Sequence, residues 1–224
     1  MAPIRIVYFS DVLCVWAYVS LLRVDAIRRA HPTEVSFEHR FCSVFGDTAR
    51  KIPAAWGGTE GYSAFNAHLR QNLEAFPEAR LNPKVWIDVR PASSMSPHLF
   101  LKAVQLAERD GDYAQGAFEA VSRAMRSAFF EQARDIATEA VQRDVARRVG
   151  IRPEAVEPLL RDGRAHAALA SDYQDATTMG VQGSPTFVLN EGRQKLYGNV
   201  GFRIIEANIQ ELLREPNPDQ ASWC

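Results

Sequence analysis

Cys14 stands at the seam between two unlike stretches of chain. Before it, Ile4-Arg5-Ile6-Val7-Tyr8-Phe9 is β-branched and aromatic, the composition of a buried strand. After it, Leu13, Ala17, Leu21, Val24 and Ile27 recur near helical spacing to about Ala30, where His31-Pro32 stops the run. A sulfur at the start of a helix faces unpaired N–H groups and the positive end of the helix dipole. Both favour a thiolate over a thiol. The chemistry this predicts is that of a nucleophilic sulfur, and the plain alternative is a small buried hydrophobe. Two neighbours share the choice. Trp16 either offers a ligand an apolar platform or packs into the core. Asp11 either caps the start of the helix, the simpler role, or serves the thiol as an acid–base partner.

The remaining chemistry-bearing residues are scattered. Three cysteines, Cys14, Cys42 and Cys224, are an odd number at wide spacing, which argues against a disulfide framework and fits a reducing cytoplasm. Cys42 follows a strand pattern and reads as structural. Cys224 is the final residue, and its tail alone does not make it a resolving thiol. His31, His39, His68 and His166 lack metal-ligand spacing, so no metal site is expected. Gly57-Gly58-Thr59-Glu60-Gly61 lacks the lysine and spacing of a phosphate loop. The 224 residues carry 26 basic and 27 acidic side chains, and this balance gives no electrostatic reason to expect nucleic acid. No apolar run reaches membrane length and no secretory pattern is visible, so the expected location is cytoplasmic.

The elements that must position the sulfur follow in order. Val35-Ser36-Phe37-Glu38-His39-Arg40-Phe41 alternates apolar and polar, a half-buried strand that a right-handed crossover places parallel to the first. Residues 46–61, with Pro53 and two adjacent glycines, read as loop. From about 62 to 179 the chain is mostly helix-forming. Expected helices cover 62–76, 96 to about 110, 112–130, 138–149, 153–160 and 164–179, with 84–88 ambiguous. Pro185-Thr186-Phe187-Val188-Leu189 and Gln194-Lys195-Leu196-Tyr197 flank turn residues and predict a hairpin. A last helix spans 202–213, with Ile205, Ile209 and Leu212 on one face.

Strand, helix, strand, helical block, helix, hairpin and helix form an α/β thioredoxin fold with a helical insert. Asp11-Val12-Leu13-Cys14-Val15-Trp16-Ala17-Tyr18 resembles the active-site start of the DsbA-like superfamily, above all its cytoplasmic branch, with the pattern Asp-x-x-Cys-Pro-Trp-Cys-Tyr. Gly180-Val181-Gln182-Gly183-Ser184-Pro185-Thr186-Phe187-Val188 is similar to the loop that carries the family's cis-proline. The stretches 94–103, 129–136 and 145–150 resemble its insert. The resemblance covers roughly 4–214. Pro216-Asn217-Pro218 ends the ordered chain, and 217–224 reads as a flexible tail. The resemblance implies a thioredoxin-fold domain over 1–57 and 164–216 and a helical insertion over 58–163. It implies that Pro185 follows a cis bond, that its loop faces the active-site sulfur, and that the Ser184 main chain is free to pair with an extended ligand. It also places His98 at the start of an insert helix over the site, either binding ligand or moving a proton, against the plainer reading of a satisfied structural histidine.

Two positions depart from the pattern. Val15 replaces a frequent proline, and Ala17 stands where the second cysteine belongs. Without that thiol the site cannot resolve a mixed disulfide internally. The first expectation is therefore a thiol-disulfide oxidoreductase working through Cys14 alone, with an external thiol such as glutathione and no resident cofactor. A second is a glutathione-dependent transferase or isomerase, resembling kappa-class glutathione transferases and 2-hydroxychromene-2-carboxylate isomerases. These usually have serine at the first position, and Cys14 would act as a hydrogen-bond donor. A third is a peptide-binding protein without turnover. Expected partners are glutathione or a disulfide substrate, no nucleic acid and no membrane, with a homodimer left open.

Overall fold

The computed structural model describes residues 3–214. The cysteine and tail expected at 217–224 lie outside that range. Four strands form one sheet in the order β2-β1-β3-β4: β1 Ile4–Ser10, β2 Val35–Phe41, β3 Thr186–Leu189 and β4 Gln194–Tyr197. β1 and β2 run parallel, with Ile4 opposite Val35 and Ser10 opposite Phe41. β3 lies antiparallel to both β1 and β4. Helix α1, Val15–Ala30, makes the crossover from β1 to β2, and α9, Phe202–Leu213, follows the hairpin.

The two-residue period of β1 divides its side chains between two layers. Ile6 and Tyr8 pack with Phe187, Leu189, Val24 and Ile27 and with Ile205 and Ile209 of α9. Val7 and Phe9 face the other way, toward Cys42, Val188 and Ala176. Ala176 belongs to α8, Arg164–Thr178. A third, larger apolar cluster joins the first turn of α1 to the helical block. That block comprises α2 Thr48–Trp56, α3 Gly61–Leu73, α4 Met95–Arg109, α5 Ala117–Phe130, α6 Glu139–Arg148 and α7 Pro153–Arg161.

Three sequence expectations are corrected. Most of 46–61 is not loop, because α2 forms there. Asp47 caps it by accepting the Arg50 N–H at 3.0 Å, and Gly57 closes it at φ +97. The residues read as breakers are thus largely the helix's own ends, and Pro53 is tolerated inside. The helix expected from 112 starts at Ala117. The Glu108 carboxylate of α4 accepts the Gly116 and Phe118 N–H groups at 3.0 and 2.6 Å, capping α5 from a neighbouring element. Helix α3 ends at Leu73, short of the expected Phe76.

The ambiguous stretch 84–88 is a tight turn that seats Trp86 in the core with no exposed surface, its ring 5.1 Å from that of Phe129. Phe129→Ala should empty this aromatic junction and lower stability by about 3–5 kcal/mol. Urea denaturation followed by tryptophan fluorescence checks it. A loss under about 1 kcal/mol would mean that the insert packs loosely here.

Candidate functional site

Cys14 is the N-cap of α1. Its backbone is extended, its N–H donates to the Asp11 carbonyl at 3.1 Å and its carbonyl accepts the Tyr18 N–H at 3.1 Å. The Sγ–H donates to the Ser184 carbonyl oxygen at 3.1 Å. The Ser184–Pro185 peptide is cis. The Asp11 N–H donates to Ser184 Oγ at 2.8 Å, and the Gly198 N–H donates to the Pro185 carbonyl at 2.8 Å. The loop before β3 is therefore tied to the end of β1 and to the hairpin. A Cβ at Gly183 would lie 2.8 Å from the ring of exposed Tyr197, so a larger residue there would have to push that ring aside. The Ser184 carbonyl, expected to be free for a ligand, is occupied by the thiol.

Asp11 does more than cap a helix. Its carboxylate has no exposed surface and accepts four hydrogen bonds. Oδ1 takes the Leu13 N–H at 2.9 Å, while Oδ2 takes the Val44 N–H at 2.9 Å, the Phe45 N–H at 2.8 Å and the Ser94 hydroxyl at 2.8 Å. His98 continues the same clamp. Its Nε2 accepts the Val12 N–H at 3.0 Å, which puts the ring proton on Nδ1, 2.9 Å from the Tyr173 hydroxyl. The ring is buried and stacks on Phe41, and burial pushes its pKa down to about 4. Both side chains are fully buried, and both hold the loop that carries Cys14. Trp16 is partly exposed and meets Phe76 edge-on at 6.0 Å, so it alone of the expected side chains presents an accessible apolar surface.

The helix start does not leave Cys14 acidic. Burial pushes the thiol up, Ser184 and the amides of Ala17 and Trp16 pull it down, and Asp11 pushes it up again, with burial dominant. Cys14 is only 6% exposed. Cys42 lies beside the same loop, its Sγ 3.8 Å from the Gly183 carbonyl, and burial pushes it up as well. Ala17 is 0% exposed, and its carbonyl accepts the Ser20 hydroxyl at 3.0 Å and the Tyr8 hydroxyl at 3.3 Å.

A cleft of about 1390 Å³ runs along the outer edge of β2, away from the sulfur. Its charged walls are largely paired with one another, Arg28 with Glu119 and Lys102 with Asp172. Among the described residues no group of histidine, cysteine and acidic side chains could hold a metal ion, and no helix is long and apolar enough to cross a membrane. Sequence reasoning missed Ser10, Ser94, Tyr173 and Arg126. The signal for Arg126 was its place one turn from Ser122, Phe129 and Phe130 on the apolar stripe of α5.

Residues 5–210 match the model of the DSBA-like thioredoxin domain, and the chain belongs to that family. No curated protein matches it. Among solved structures, it is similar to a probable DsbA oxidoreductase from Streptomyces coelicolor at 21% identity, over 96% of this chain and 92% of that one, with a TM-score of 0.73. The cytosolic disulfide reductase DsbM from Pseudomonas aeruginosa, solved with GSH, is 20% identical over 94% and 100%, with a TM-score of 0.66. A 2-hydroxychromene-2-carboxylate isomerase is 16% identical over 93% and 95%, with a TM-score of 0.63. At these identities the likeness is one of fold.

Asp11→Ala should orphan the buried Val44 and Phe45 amides together and cost about 3 kcal/mol or more. Urea denaturation at pH 7 measures it. A loss within 1 kcal/mol would show that the carboxylate does not hold these loops together.

Proposed function

We propose that this chain is a thiol-disulfide oxidoreductase that works through Cys14 alone, with an external thiol such as glutathione completing the cycle in a reducing cytoplasm. The observation that carries the reading is the Cys14 sulfur at the N-terminus of α1, 3.1 Å from the carbonyl of the cis Ser184–Pro185 peptide. The thiol first gives its proton to solvent. The Cys14 thiolate then attacks one sulfur of the substrate disulfide, forms the Cys14 mixed disulfide and releases the other sulfur as a thiolate. A second, external thiolate attacks the substrate sulfur of the mixed disulfide, joins it in a new disulfide and returns Cys14 as a thiolate. Ala17 supplies no sulfur for this step. Release of Sγ–H from Ser184 also frees that carbonyl for the main chain of an extended substrate, with Trp16 as an apolar wall.

One observation favours a second reading, a glutathione-dependent transferase or isomerase. Burial keeps the thiol protonated, and the Sγ–H already acts as a hydrogen-bond donor. The thiolate of bound glutathione could accept that bond in place of Ser184.

Mass spectrometry after exposure to oxidised glutathione separates the two. The oxidoreductase gives one glutathione adduct on Cys14, reversed by free thiol, and Cys14→Ser abolishes reduction of a glutathionylated peptide. Retained glutathione-dependent conjugation or isomerisation in Cys14→Ser supports the second reading, and peptide binding without any turnover leaves a binding protein. The pH dependence has a definite sign. A folded-state pKa raised above the ordinary thiol value means that the thiolate fraction is still growing as pH passes that value. Iodoacetamide alkylation of Cys14 should therefore keep accelerating through pH 8 to 9, about tenfold per unit. A plateau by pH 7 would contradict the buried, hydrogen-bonded thiol.

A further inference from the structure

Among the described residues, one buried cation is bonded to no opposite charge. Arg126 of α5 is 2% exposed. Its Nη1 donates to the Ser122 hydroxyl, its Nη2 donates to Ser10 Oγ at 3.0 Å, and its Nε is buried without a partner. Buried Lys102, by contrast, pairs with Asp172 at 2.5 Å. A sealed guanidinium on neutral hydroxyls is costly, because no opposite charge is bonded to it and its Nε has no acceptor.

Its place suggests what offsets that cost. Ser10 ends β1 and leads directly into the Asp11–Cys14 loop. One turn beyond Arg126, Phe130 stacks at 4.9 Å on Tyr18, whose N–H bonds to the Cys14 carbonyl. Tyr18 also donates its hydroxyl to Glu131 at 2.8 Å. Helix α5 is thus clamped to both ends of the segment that carries the sulfur, with Arg126 between the clamps. The titratable and charged groups around it are Tyr8 of β1, Asp11, Cys14, His39 of β2, His98 of α4 and Arg123 of its own helix. Burial keeps Tyr8 and both histidines neutral at pH 7. Arg123 is bonded to Asp25. That leaves the carboxylate of Asp11, which is satisfied by amides and a hydroxyl and has no cation of its own within hydrogen-bond reach.

We propose that Arg126 is a positioning residue of the thiol site: it holds a fixed positive charge beneath the Asp11–Cys14 loop, offsetting Asp11 and answering the negative charge that develops on Cys14 Sγ. The inference rests on Cys14 being the reacting sulfur, as in the proposed function. The opposing fields of Asp11 and Arg126 leave the interior near neutrality while the thiol is protonated. When the proton leaves, the guanidinium, which is tied up in no ion pair, acts on the sulfur as well.

The test reads ionisation rather than turnover. Arg126→Met should raise the apparent pKa of Cys14 by about one unit and slow its alkylation at pH 7 about tenfold. Arg126→Lys, which keeps the charge, should recover most of the rate. A folded Arg126→Met with an unchanged alkylation profile overturns the proposal. Should that variant fail to fold, the wild-type chain decides. The Arg126 Nε–H resonance, assigned by its loss in Arg126→Lys, should shift with the titration of Cys14 and stay fixed over the same range in Cys14→Ala. A resonance that ignores the titration, or moves equally in Cys14→Ala, also overturns it. Ionisation coupling without any reduction of a glutathionylated peptide removes the proposed function and supports the charge assigned to Arg126.

Discussion

A carboxylate with no access to water needs a donor for each lone pair it keeps, and Asp11 finds them on three separate segments. Leu13 comes from its own loop, Val44 and Phe45 from the chain leaving β2, and Ser94 from the approach to α4. His98 then takes the Val12 amide of the loop, and Ser184 Oγ takes the amide of Asp11 itself. Hydrogen bonds to a charged group contribute about 1.5–3 kcal/mol each, and sealing the charge costs several kcal/mol. The net stabilisation is therefore modest beside the geometric effect. The strand–helix junction, the loop after β2 and the helical block meet at one carboxylate, and the position of Cys14 is set by that meeting.

Burial decides the state of the sulfur. A helix terminus is worth about 0.3–1 kcal/mol to a nearby charge, and up to about 2 in favourable sites. Full burial can move a pKa by about 3–5 units, which is larger. The Trp16 and Ala17 amides act in the direction that the sequence suggests, but against the stronger effect. The site therefore stores a protonated thiol on the Ser184 carbonyl.

Much of this was legible in the sequence because it depends on period and local chemistry. The β-branched and aromatic run of β1, the alternation in β2, the turn residues at 190–193 and the glycine after α6 mark elements that form as expected, and the parallel pairing of β1 with β2 follows from the crossover. The meeting of Cys14 with Ser184–Pro185 followed from the resemblance of two short motifs, 170 residues apart in the hydrogen bond they share. Long-range satisfaction was not legible. Nothing near Glu108 says that it caps α5, and nothing near His98 says that its Nε2 takes an amide 86 residues away. Pro53 and Gly57 look like breakers because their local signal is the same whether a helix is absent or merely ending.

Ala17 ties these strands together. Ala17 is sealed, and its main-chain carbonyl is held by Ser20 and Tyr8. Under the proposed function, an external disulfide approaches past partly exposed Trp16 and the loop before β3, where the Ser184 carbonyl is already bonded to the sulfur. Under the proposed function, a substrate amide that takes this carbonyl displaces the Sγ–H and leaves the thiol without its acceptor. The substrate amide and the Sγ–H then compete for one oxygen atom, and the sulfur stays quiet until something extended has docked.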